Sequence, residues 1–354
     1  QPLLDFYAAN PKFIQPESAR NEVVSFVRRG LTDLSISRSK EKFDWGIDIP
    51  WDNSHITYVW FDALLNYITA IGYGEDTAQA KAKFESLWPA TVQVVGKDIL
   101  RFHAVIWPAM LMAAELAPAT QIFGHGWLLV GGEKMSKSKL TGIAPSQITD
   151  TFGSDAFRYY FMKAIAFGQD GSFSWEDLSA RYQAELANGF GNLASRVVAM
   201  IHRYFEGVLP TPGAATEDDL KVQSIAAAAV ANADAAIDDV AIQDALIAVW
   251  TLVDELNNYI TVQEPWVLAK DEAKRERLGT VLYTAAEGLR VLATLMAPVT
   301  PKVAAKLWST IGQGSLGDLA AQPLSAAATW GQLKPGLAIG ELEPLFPRIE
   351  TEAK

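Results

Sequence analysis

Apolar residues in the first 130 positions occur as short runs that end at glycine, which is typical of buried strands. Residues 91–95 are rich in β-branched side chains and end at Gly96, and residues 121–123 lead into a glycine turn. A third run, residues 127–130, leads into a pair of glycines. Residues 99–116, between the first two runs, have a helical composition. The order strand, helix, strand predicts a parallel α/β sheet.

The pattern changes after Trp175, where helix-forming residues dominate and β-branched runs become scarce. Residues 224–253 are rich in alanine, with isoleucine, leucine and valine at helical spacing, and residues 272–296 have the same pattern. Prolines and glycines at 210–213, 298–301 and 312–314 separate the helical segments. This half of the chain therefore predicts an antiparallel helix bundle.

The composition indicates a globular chain of two or three domains. The 354 residues are 49% hydrophobic and 20% charged, which excludes a disordered protein. The longest apolar stretch, around residues 104–114, is interrupted by Pro108 and is shorter than the ~18 residues that a membrane span needs. The chain starts Gln-Pro-Leu-Leu, without an initiator methionine or a signal-peptide pattern, so we expect that it does not begin where its gene begins.

The charge and the lack of cysteine limit the possible functions. With 30 basic and 41 acidic side chains, the net charge is −11. This balance argues against non-specific coating of nucleic acid but leaves local recognition open. Zero cysteine excludes disulfides, a thiol nucleophile and a zinc site built on thiolates within the chain. A cytoplasmic location is the resulting expectation.

Residues 131–139, Gly-Gly-Glu-Lys-Met-Ser-Lys-Ser-Lys, carry the strongest chemical signal. Lysines that alternate with small hydroxylated residues behind two glycines suit the stabilisation of polyphosphate charge in a transition state. A solvated basic loop is the alternative for most such strings. The literal pentapeptide KMSKS after a strand and two glycines, however, is similar to the second signature motif of class I aminoacyl-tRNA synthetases.

Two candidate ligand groups follow the first predicted strand. Gly96 ends the strand and Asp98 begins the next helix, where a carboxylate can accept ribose hydroxyls or face an amine. His103, five residues further on, can face the same crevice. The alternative is that Asp98 only caps the helix and that His103 is a packed core residue.

A candidate pocket wall lies within residues 58–67. Trp60, Ala63, Leu64 and Tyr67 fall at i, i+3, i+4 and i+7, which places them on one helical face. This face is either an ordinary core face or an aromatic wall in which the small Ala63 leaves room for a ligand side chain. The spacing does not distinguish the two.

Two features of the helical half are typical of nucleic-acid readers. Asn192 and Arg196 are four residues apart, so an amide and a guanidinium share a helical face and can bond base edges and backbone together. Trp266 follows a proline at a predicted helix start, where its ring can stack on an unpaired base. Each feature alone also fits capping and core packing.

Together these residues resemble the bacterial type of methionyl-tRNA synthetases. The resemblance extends from residues 13–18 to residues 344–348. It implies a Rossmann-type α/β catalytic core, whose second half is present, and an all-α anticodon-binding helix bundle. The implied segments are the end of an inserted connective domain at 1–25, the Rossmann half at 26–130, the KMSKS loop with a stem-contact segment at 131–178, and the anticodon-binding domain with a C-terminal tail at 179–354.

The resemblance also implies roles for individual residues. The methionine pocket matches Trp60, Ala63, Leu64, Tyr67, Phe102 and His103, although many relatives have proline where this chain has Leu64. The ATP and adenylate site matches Gly96, Asp98, His125, Gly126, Lys134, Ser136 and Lys137. The catalytic residues are Lys134 and Lys137, which act on the ATP phosphates, and Arg38, which acts in activation. The anticodon readers are Asn192, Arg196 and Trp266.

The implied reaction is ATP-dependent activation of methionine to methionyl-adenylate, followed by transfer to tRNA(Met). The implied partners are methionine, ATP with Mg²⁺ and tRNA(Met), without a membrane. The lack of an appended dimerisation segment favours a monomer. No residue is assigned to a metal, and zinc is left open because the zinc knuckles of some relatives lie outside the matching region. A preference for initiator or elongator tRNA is left open too.

One family motif is missing from the chain. The family's His-x-Gly-His motif stabilises the α-phosphate transition state, but none of the four histidines forms it. The simplest interpretation is that the chain is a C-terminal portion of a longer protein. The alternative is a non-catalytic tRNA-binding module of the same fold. A class I synthetase for isoleucine, valine or leucine is disfavoured by the set of Asn192, Arg196 and Trp266.

Overall fold

The computed structural model describes residues 1–41, 43, 45–135, 142–314 and 317–349. The chain forms two compact units, residues 1–127 and residues 128–354, which we call unit 1 and unit 2. None of the helices in the described ranges is long and apolar enough to cross a membrane.

Unit 1 begins with two helices and contains two small sheets. Its elements are α1 (Pro2–Ala9), β1 (Ile14–Gln15), α2 (Glu17–Arg28), β2 (Ser37–Ser39), β3 (Asp48–Ile49), β4 (Asp52–Thr57), α3 (Val59–Ala63), α4 (Asn66–Thr69), α5 (Ala78–Leu87), β5 (Gln93–Gly96), α6 (Trp107–Ala113) and β6 (Ile122–His125). A 3₁₀ turn (Lys97–Ile99) and a π-helical segment (Phe102–Ile106) precede α6.

The first sheet of unit 1 is parallel, with the strand order β1, β6, β5. β6 pairs with both neighbours, and Gly96 at the end of β5 is opposite His125 at the end of β6. The helical residues 97–113 connect these two strands. The predicted strand, helix, strand pattern and the parallel sheet are therefore confirmed.

The core of unit 1 lies where α1 and α2 pack against this sheet. Tyr7 and Val23 of the helices are buried in one cluster with Ile14 and Ile122 of the strands. Residues 1–28 thus share a core with the parallel sheet. The division of the chain into four segments remains a prediction.

Unit 2 is mainly helical. Its elements are β7 (Leu128–Val130), β8 (Glu133–Lys134), α7 (Pro145–Phe152), α8 (Ser154–Lys163), β9 (Gly171–Phe173), α9 (Trp175–Arg181), α10 (Asn192–Phe205), α11 (Glu217–Asp238), α12 (Ile242–Gln263), α13 (Pro265–Leu268), α14 (Arg275–Met296), α15 (Pro301–Thr310) and α16 (Leu324–Ala328). A second π-helical segment (Tyr182–Gly191) joins α9 to α10, and 3₁₀ turns occur at Glu272–Lys274 and Leu319–Ala321.

β7 is the central strand of the small sheet in unit 2, parallel to β9 and antiparallel to β8. Gly131 and Gly132 join β7 to β8, with φ angles of 60° and 81°. Positive φ at both central residues matches the twist of a tight hairpin, and only glycine adopts it at little cost. The glycine pair, predicted to free the backbone before a loop, forms a tight hairpin turn that leads directly to Lys134.

The helix bundle of unit 2 surrounds α14. Every residue from Leu278 to Met296 is buried, which identifies α14 as a central helix. Gly288 permits the close approach of α12, because a Cβ at this position would lie 2.7 Å from the Leu256 side chain. The predicted helix bundle is confirmed.

The sequence predicted no break within residues 224–253, but α11 ends at Asp238 and α12 begins at Ile242. Val240 has a φ of 58° in the turn between them. The turn contains neither glycine nor proline, but two aspartates, Asp238 and Asp239, mark it. The prediction missed it because only prolines and glycines were taken as breaks.

Candidate functional site

Four rings of unit 1 form one cluster: Trp60, Tyr67, Phe102 and His103. We call this cluster the aromatic pocket, after the methionine pocket to which the resemblance assigned its residues. Trp60 stacks on Phe102 with ring centroids 4.3 Å apart and planes 11° apart. His103 meets Trp60 and Tyr67 edge to face, at centroid distances of 6.0 and 5.5 Å. The structure thus brings together four of the six residues that the resemblance assigned to the methionine pocket.

The hydrogen bonds of His103 define its tautomer. Its Nδ1 lies 3.0 Å from the Ile99 carbonyl oxygen, which can only accept, so Nδ1 carries the proton. Nε2 is then the acceptor, and the Tyr67 hydroxyl donates to it at 2.7 Å. Burial lowers the pKa of His103, although the bond to Ile99 partly opposes this effect. The imidazole is therefore neutral at pH 7, and the pocket wall carries no net charge.

The π-helical segment places Phe102 and His103 in this cluster. Pro108 lacks the backbone N–H that would bond to the Ala104 carbonyl in a regular helix, and the buried Tyr7 hydroxyl donates to that carbonyl instead. Burial raises the pKa of Tyr7, so the hydroxyl remains a donor. The predicted helix over residues 99–116 is thus divided into 3₁₀, π and α segments, and π segments are frequent at functional sites.

The other two residues of the predicted wall differ from each other in burial and packing. Leu64 is fully buried in a small core with Ile68, Trp107 and Leu111, and Trp60 and Tyr67 of the predicted wall pack against this core. Ala63 is exposed. α3 ends at Ala63 and α4 begins at Asn66, so the face expected from a continuous helix is bent between them.

Three residues of the predicted adenylate site lie at the carboxyl ends of β5 and β6. A Cβ on Gly96 would lie 2.6 Å from Oδ1 of Asp98 and 3.9 Å from Cε1 of His125. The lack of a side chain at Gly96 therefore lets the Asp98 carboxylate lie against the backbone. The His125 ring is fixed by its Nδ1, 2.8 Å from the carbonyl oxygen of Gly126. The carboxyl ends of parallel strands are where ligands of such sheets bind.

Arg38 lies on β2, the strand that pairs with β4 in the antiparallel sheet of unit 1. Its Nη1 donates to the carbonyl oxygens of Ser35 and Ser37 at 2.9 and 2.8 Å, and its guanidinium lies 3.7 Å from the centroid of the Tyr58 ring. Arg38 and Tyr58 line a cavity of about 360 Å³ together with Asp62. The sequence predicted no role for Tyr58, because no spacing rule pairs it with Arg38.

The KMSKS residues belong to unit 2. Lys134 is exposed on β8, directly after the glycine turn. Ser136 and Lys137, the other two residues predicted here, lie outside the described residues.

The three predicted anticodon readers lie on two neighbouring elements of unit 2. Asn192 is exposed and Arg196 half-buried on α10. Trp266 lies on α13, with 38% of its surface exposed, and the Arg196 guanidinium is 5.9 Å from the centroid of its ring. The structure therefore brings Arg196 and Trp266 into contact range for a cation–π pair.

The described residues contain no group of three or more His, Cys, Asp or Glu side chains that could hold a metal ion.

Comparisons with known proteins agree with this geometry. Residues 1–198 match the family described as tRNA synthetases class I (M), and residues 219–342 match the anticodon-binding domain of tRNA ligases. The methionine–tRNA ligase of Streptomyces coelicolor is 56% identical over 99% of this chain and 65% of its own length. That of Caldanaerobacter subterraneus is 47% identical over 99% of this chain and 53% of its own length.

Solved structures give the same result. Mycobacterium tuberculosis methionyl-tRNA synthetase bound by methionyl-adenylate matches with a TM-score of 0.90 and 38% identity, over 98% of this chain and 66% of that one. Its apo form matches with a TM-score of 0.88. The chain spans roughly half to two thirds of the length of the relatives compared. Because the family model covers more than half of the chain and both domains are in the expected order, the chain belongs to the methionine-type class I tRNA synthetases.

Proposed function

We propose that this chain contributes the amino-acid pocket and the anticodon reader of a methionine–tRNA ligase. In the proposed reaction, the methionine carboxylate attacks the α-phosphate of ATP and pyrophosphate leaves. The methionyl group then moves to the terminal ribose of tRNA(Met). Positioning and electrostatic stabilisation supply most of the catalysis in such substitutions.

The contacts among the four rings of the aromatic pocket are the observation that carries the proposal. The rings are packed against one another, and a neutral His103 accepts a hydrogen bond from the Tyr67 hydroxyl. An uncharged thioether fits this chemistry, because sulfur makes favourable contacts with aromatic ring edges. Apolar pockets distinguish one methylene by only about 1–3 kcal/mol, so ring contacts with the sulfur would add selectivity against leucine and norleucine.

The polar groups of unit 1 support adenylate binding. Asp98, next to Gly96 and His125 at the sheet edge, suits the ribose hydroxyls or the methionine amine. Arg38 is assigned to activation, and Lys134 and Lys137 to the ATP phosphates in the transition state. Mg²⁺ is assigned to the phosphates of ATP, because it is usually bound through substrate phosphates together with only one or two carboxylates.

The contact between Arg196 and Trp266 supports anticodon reading in unit 2. A partly exposed indole can stack on an unpaired base, and a guanidinium next to it can bond to base edges or phosphate. Asn192 adds an amide on the same helix. Recognition by a few such groups is compatible with the net charge of −11.

ATP–pyrophosphate exchange by the full-length protein tests the catalytic part. Lys137→Ala should lower the exchange rate by roughly 10²-fold, with little change in methionine affinity, because its charge acts only in the transition state. Lys302→Ala, an exposed lysine of unit 2, is the matched control. An unaltered exchange rate in Lys137→Ala, or leucine activated as well as methionine, would contradict the proposal.

A second candidate function is a non-catalytic tRNA-binding module, which would need only the contact between Arg196 and Trp266 in unit 2. For the isolated chain we expect tRNA binding without appreciable methionine activation. The two candidates differ in the full-length protein, which activates methionine only if the first is right.

A further inference from the structure

We propose that the hydrogen-bonded network around Asp219 positions Trp266 for contact with an anticodon base, with Gln263 as the residue that links the two. This inference rests on the proposed function of Trp266 as a base reader. It assigns a positioning role to residues that do not themselves contact the base.

Asp219 joins the ends of three helices. It lies near the start of α11 with 4% of its surface exposed, and the Tyr259 hydroxyl of α12 and Nη1 of Arg277 on α14 both donate to its carboxylate. The Thr216 backbone N–H and hydroxyl also donate to it, at 2.7 and 2.9 Å. Three residues, Thr216, Tyr259 and Arg277, thus donate to one buried carboxylate. Together with Asp219 and with Gln263, which bonds to Arg277, they form what we call the Asp219 network.

The charge of Asp219 is retained in the folded chain. Burial alone would raise the pKa of Asp219, but the hydrogen bonds from Arg277, Tyr259 and Thr216 outweigh burial and lower it. The carboxylate is therefore ionised at neutral pH, and its bonds to Arg277 and Tyr259 are charge-assisted and strong.

Gln263 connects this network to the turn before Trp266. It is the last residue of α12, and its Oε1 accepts from Nη2 of Arg277 at 2.6 Å. Its Nε2 donates to Oδ2 of Asp218 at 2.7 Å. Because the guanidinium is a rigid planar fork, a single Arg277 fixes the spacing between the Asp219 carboxylate and the end of α12.

The turn that follows is strained and needs such support. Glu264 has a φ of 44°, in the left-handed region that non-glycine residues seldom adopt. Its carbonyl accepts from the N–H groups of Val267 and Leu268 at 2.7 and 3.1 Å, which turns the chain sharply into α13. Such conformations persist only where the surroundings hold them, and they occur often at functional sites.

The turn at Glu264 determines where the exposed indole of Trp266 lies. Trp266 lies two residues after Glu264, and Pro265 between them is buried. The position of the ring therefore depends on the angle at which α13 leaves α12. A ring held in place before binding costs less entropy when it stacks on a base.

The test compares four variants of the full-length protein: Gln263→Ala, Trp266→Ala, the double variant, and Gln243→Ala as the matched control. Gln243 is also a half-buried glutamine of α12, and its Nε2 donates to the Lys163 carbonyl at 2.8 Å near the other end of the helix. The measurements are KM for tRNA(Met) in charging, the rate of methionine-dependent ATP–pyrophosphate exchange without tRNA, and thermal unfolding.

We expect Gln263→Ala to raise KM for tRNA(Met) by roughly five- to tenfold, as the loss of well-placed hydrogen bonds does, and to leave pyrophosphate exchange unchanged. Gln243→Ala should change neither. In the Trp266→Ala background, Gln263→Ala should have no further effect, since its effect passes through the indole.

Each other outcome overturns the inference. Additive effects of Gln263→Ala and Trp266→Ala would show that Gln263 acts independently of the ring. A parallel loss of pyrophosphate exchange, or an equal effect of Gln243→Ala, would indicate general destabilisation. If Trp266→Ala alone leaves KM unchanged, the proposed anticodon reading fails as well. If only Gln263→Ala is without effect, the proposed function stands and the positioning role is wrong.

Discussion

The Tyr67 hydroxyl lies 2.7 Å from Nε2 of His103, and this bond determines the chemical character of the aromatic pocket. His103 has 1% of its surface exposed, and its Nδ1 donates a hydrogen bond to the Ile99 carbonyl. The Tyr67 hydroxyl donates to the lone pair of Nε2, so this buried acceptor is satisfied. The bond therefore favours the neutral form of the imidazole.

Tyr67→Phe should remove that bond while it keeps the aromatic ring. We expect KM for methionine in pyrophosphate exchange to rise by about five- to tenfold, since a buried acceptor is left without a partner. Tyr73→Phe is the control, because Tyr73 is 38% exposed and packs against Phe84. Equal kinetics of Tyr67→Phe and the unmodified protein would show that the hydroxyl has no role in the pocket.

The pKa of His103 can be measured directly. Because burial lowers it below the ordinary value, the imidazole should titrate below about pH 6.5 in an NMR titration of labelled histidine. The unfolded chain binds this proton more readily than the folded chain. Stability is therefore fully present above about pH 6.5 and is lost as the pH falls through the folded pKa.

His103→Gln should reduce this loss of stability at acid pH, because the substitution removes the titrating imidazole. A folded-state pKa of His103 at or above the ordinary value would contradict the neutral pocket.

Gly96→Ala should displace the Asp98 carboxylate, because the added Cβ would lie 2.6 Å from Oδ1. We expect pyrophosphate exchange to fall by about tenfold or more, as small misplacements of binding groups do. At Gly340 an added Cβ would meet ordinary contacts of 3.7 Å at Thr310, so Gly340→Ala serves as the control. Full exchange activity in Gly96→Ala would remove Asp98 from the proposed site.

Glu287→Ala should destabilise unit 2 strongly. The Glu287 carboxylate is fully buried and accepts from Arg290 Nε at 2.8 Å and from three backbone N–H groups of residues 331–333 at 2.8–3.0 Å. Removal of one partner of a buried pair costs about 3–5 kcal/mol, or roughly 10 °C in the midpoint of the unit 2 transition by calorimetry.

The control for this prediction is Glu343→Ala. Glu343 pairs with Lys306 at 3.1 Å, but 88% of its side chain is exposed, so the change in stability should stay within about 0.5 kcal/mol. A similar loss of stability in both variants would show that the buried Glu287–Arg290 pair stabilises unit 2 no more than the exposed Glu343–Lys306 pair does.

Most of the architecture followed from local patterns. Runs that end at Gly96 and Gly124 identified two strands of a parallel sheet, and the periodicity of residues 272–296 identified the central helix of the bundle. The break near Val240 was missed, as was the division of residues 99–116 into 3₁₀, π and α segments. The first break has a local signal in Asp238 and Asp239. The second depends on another part of the chain, because the Tyr7 hydroxyl donates to the Ala104 carbonyl.

The sequence by itself determined the family resemblance, the order of the α/β and helical parts, and the identity of the candidate site residues, because strand runs, helical periodicity and the KMSKS string are local properties of the chain. Only the tertiary structure decided which of these residues meet. Tyr67 and His103 are 36 residues apart, and Gln263 reaches Arg277 of another helix. Such pairs are set by the packing of whole elements, and no spacing rule along the chain encodes them.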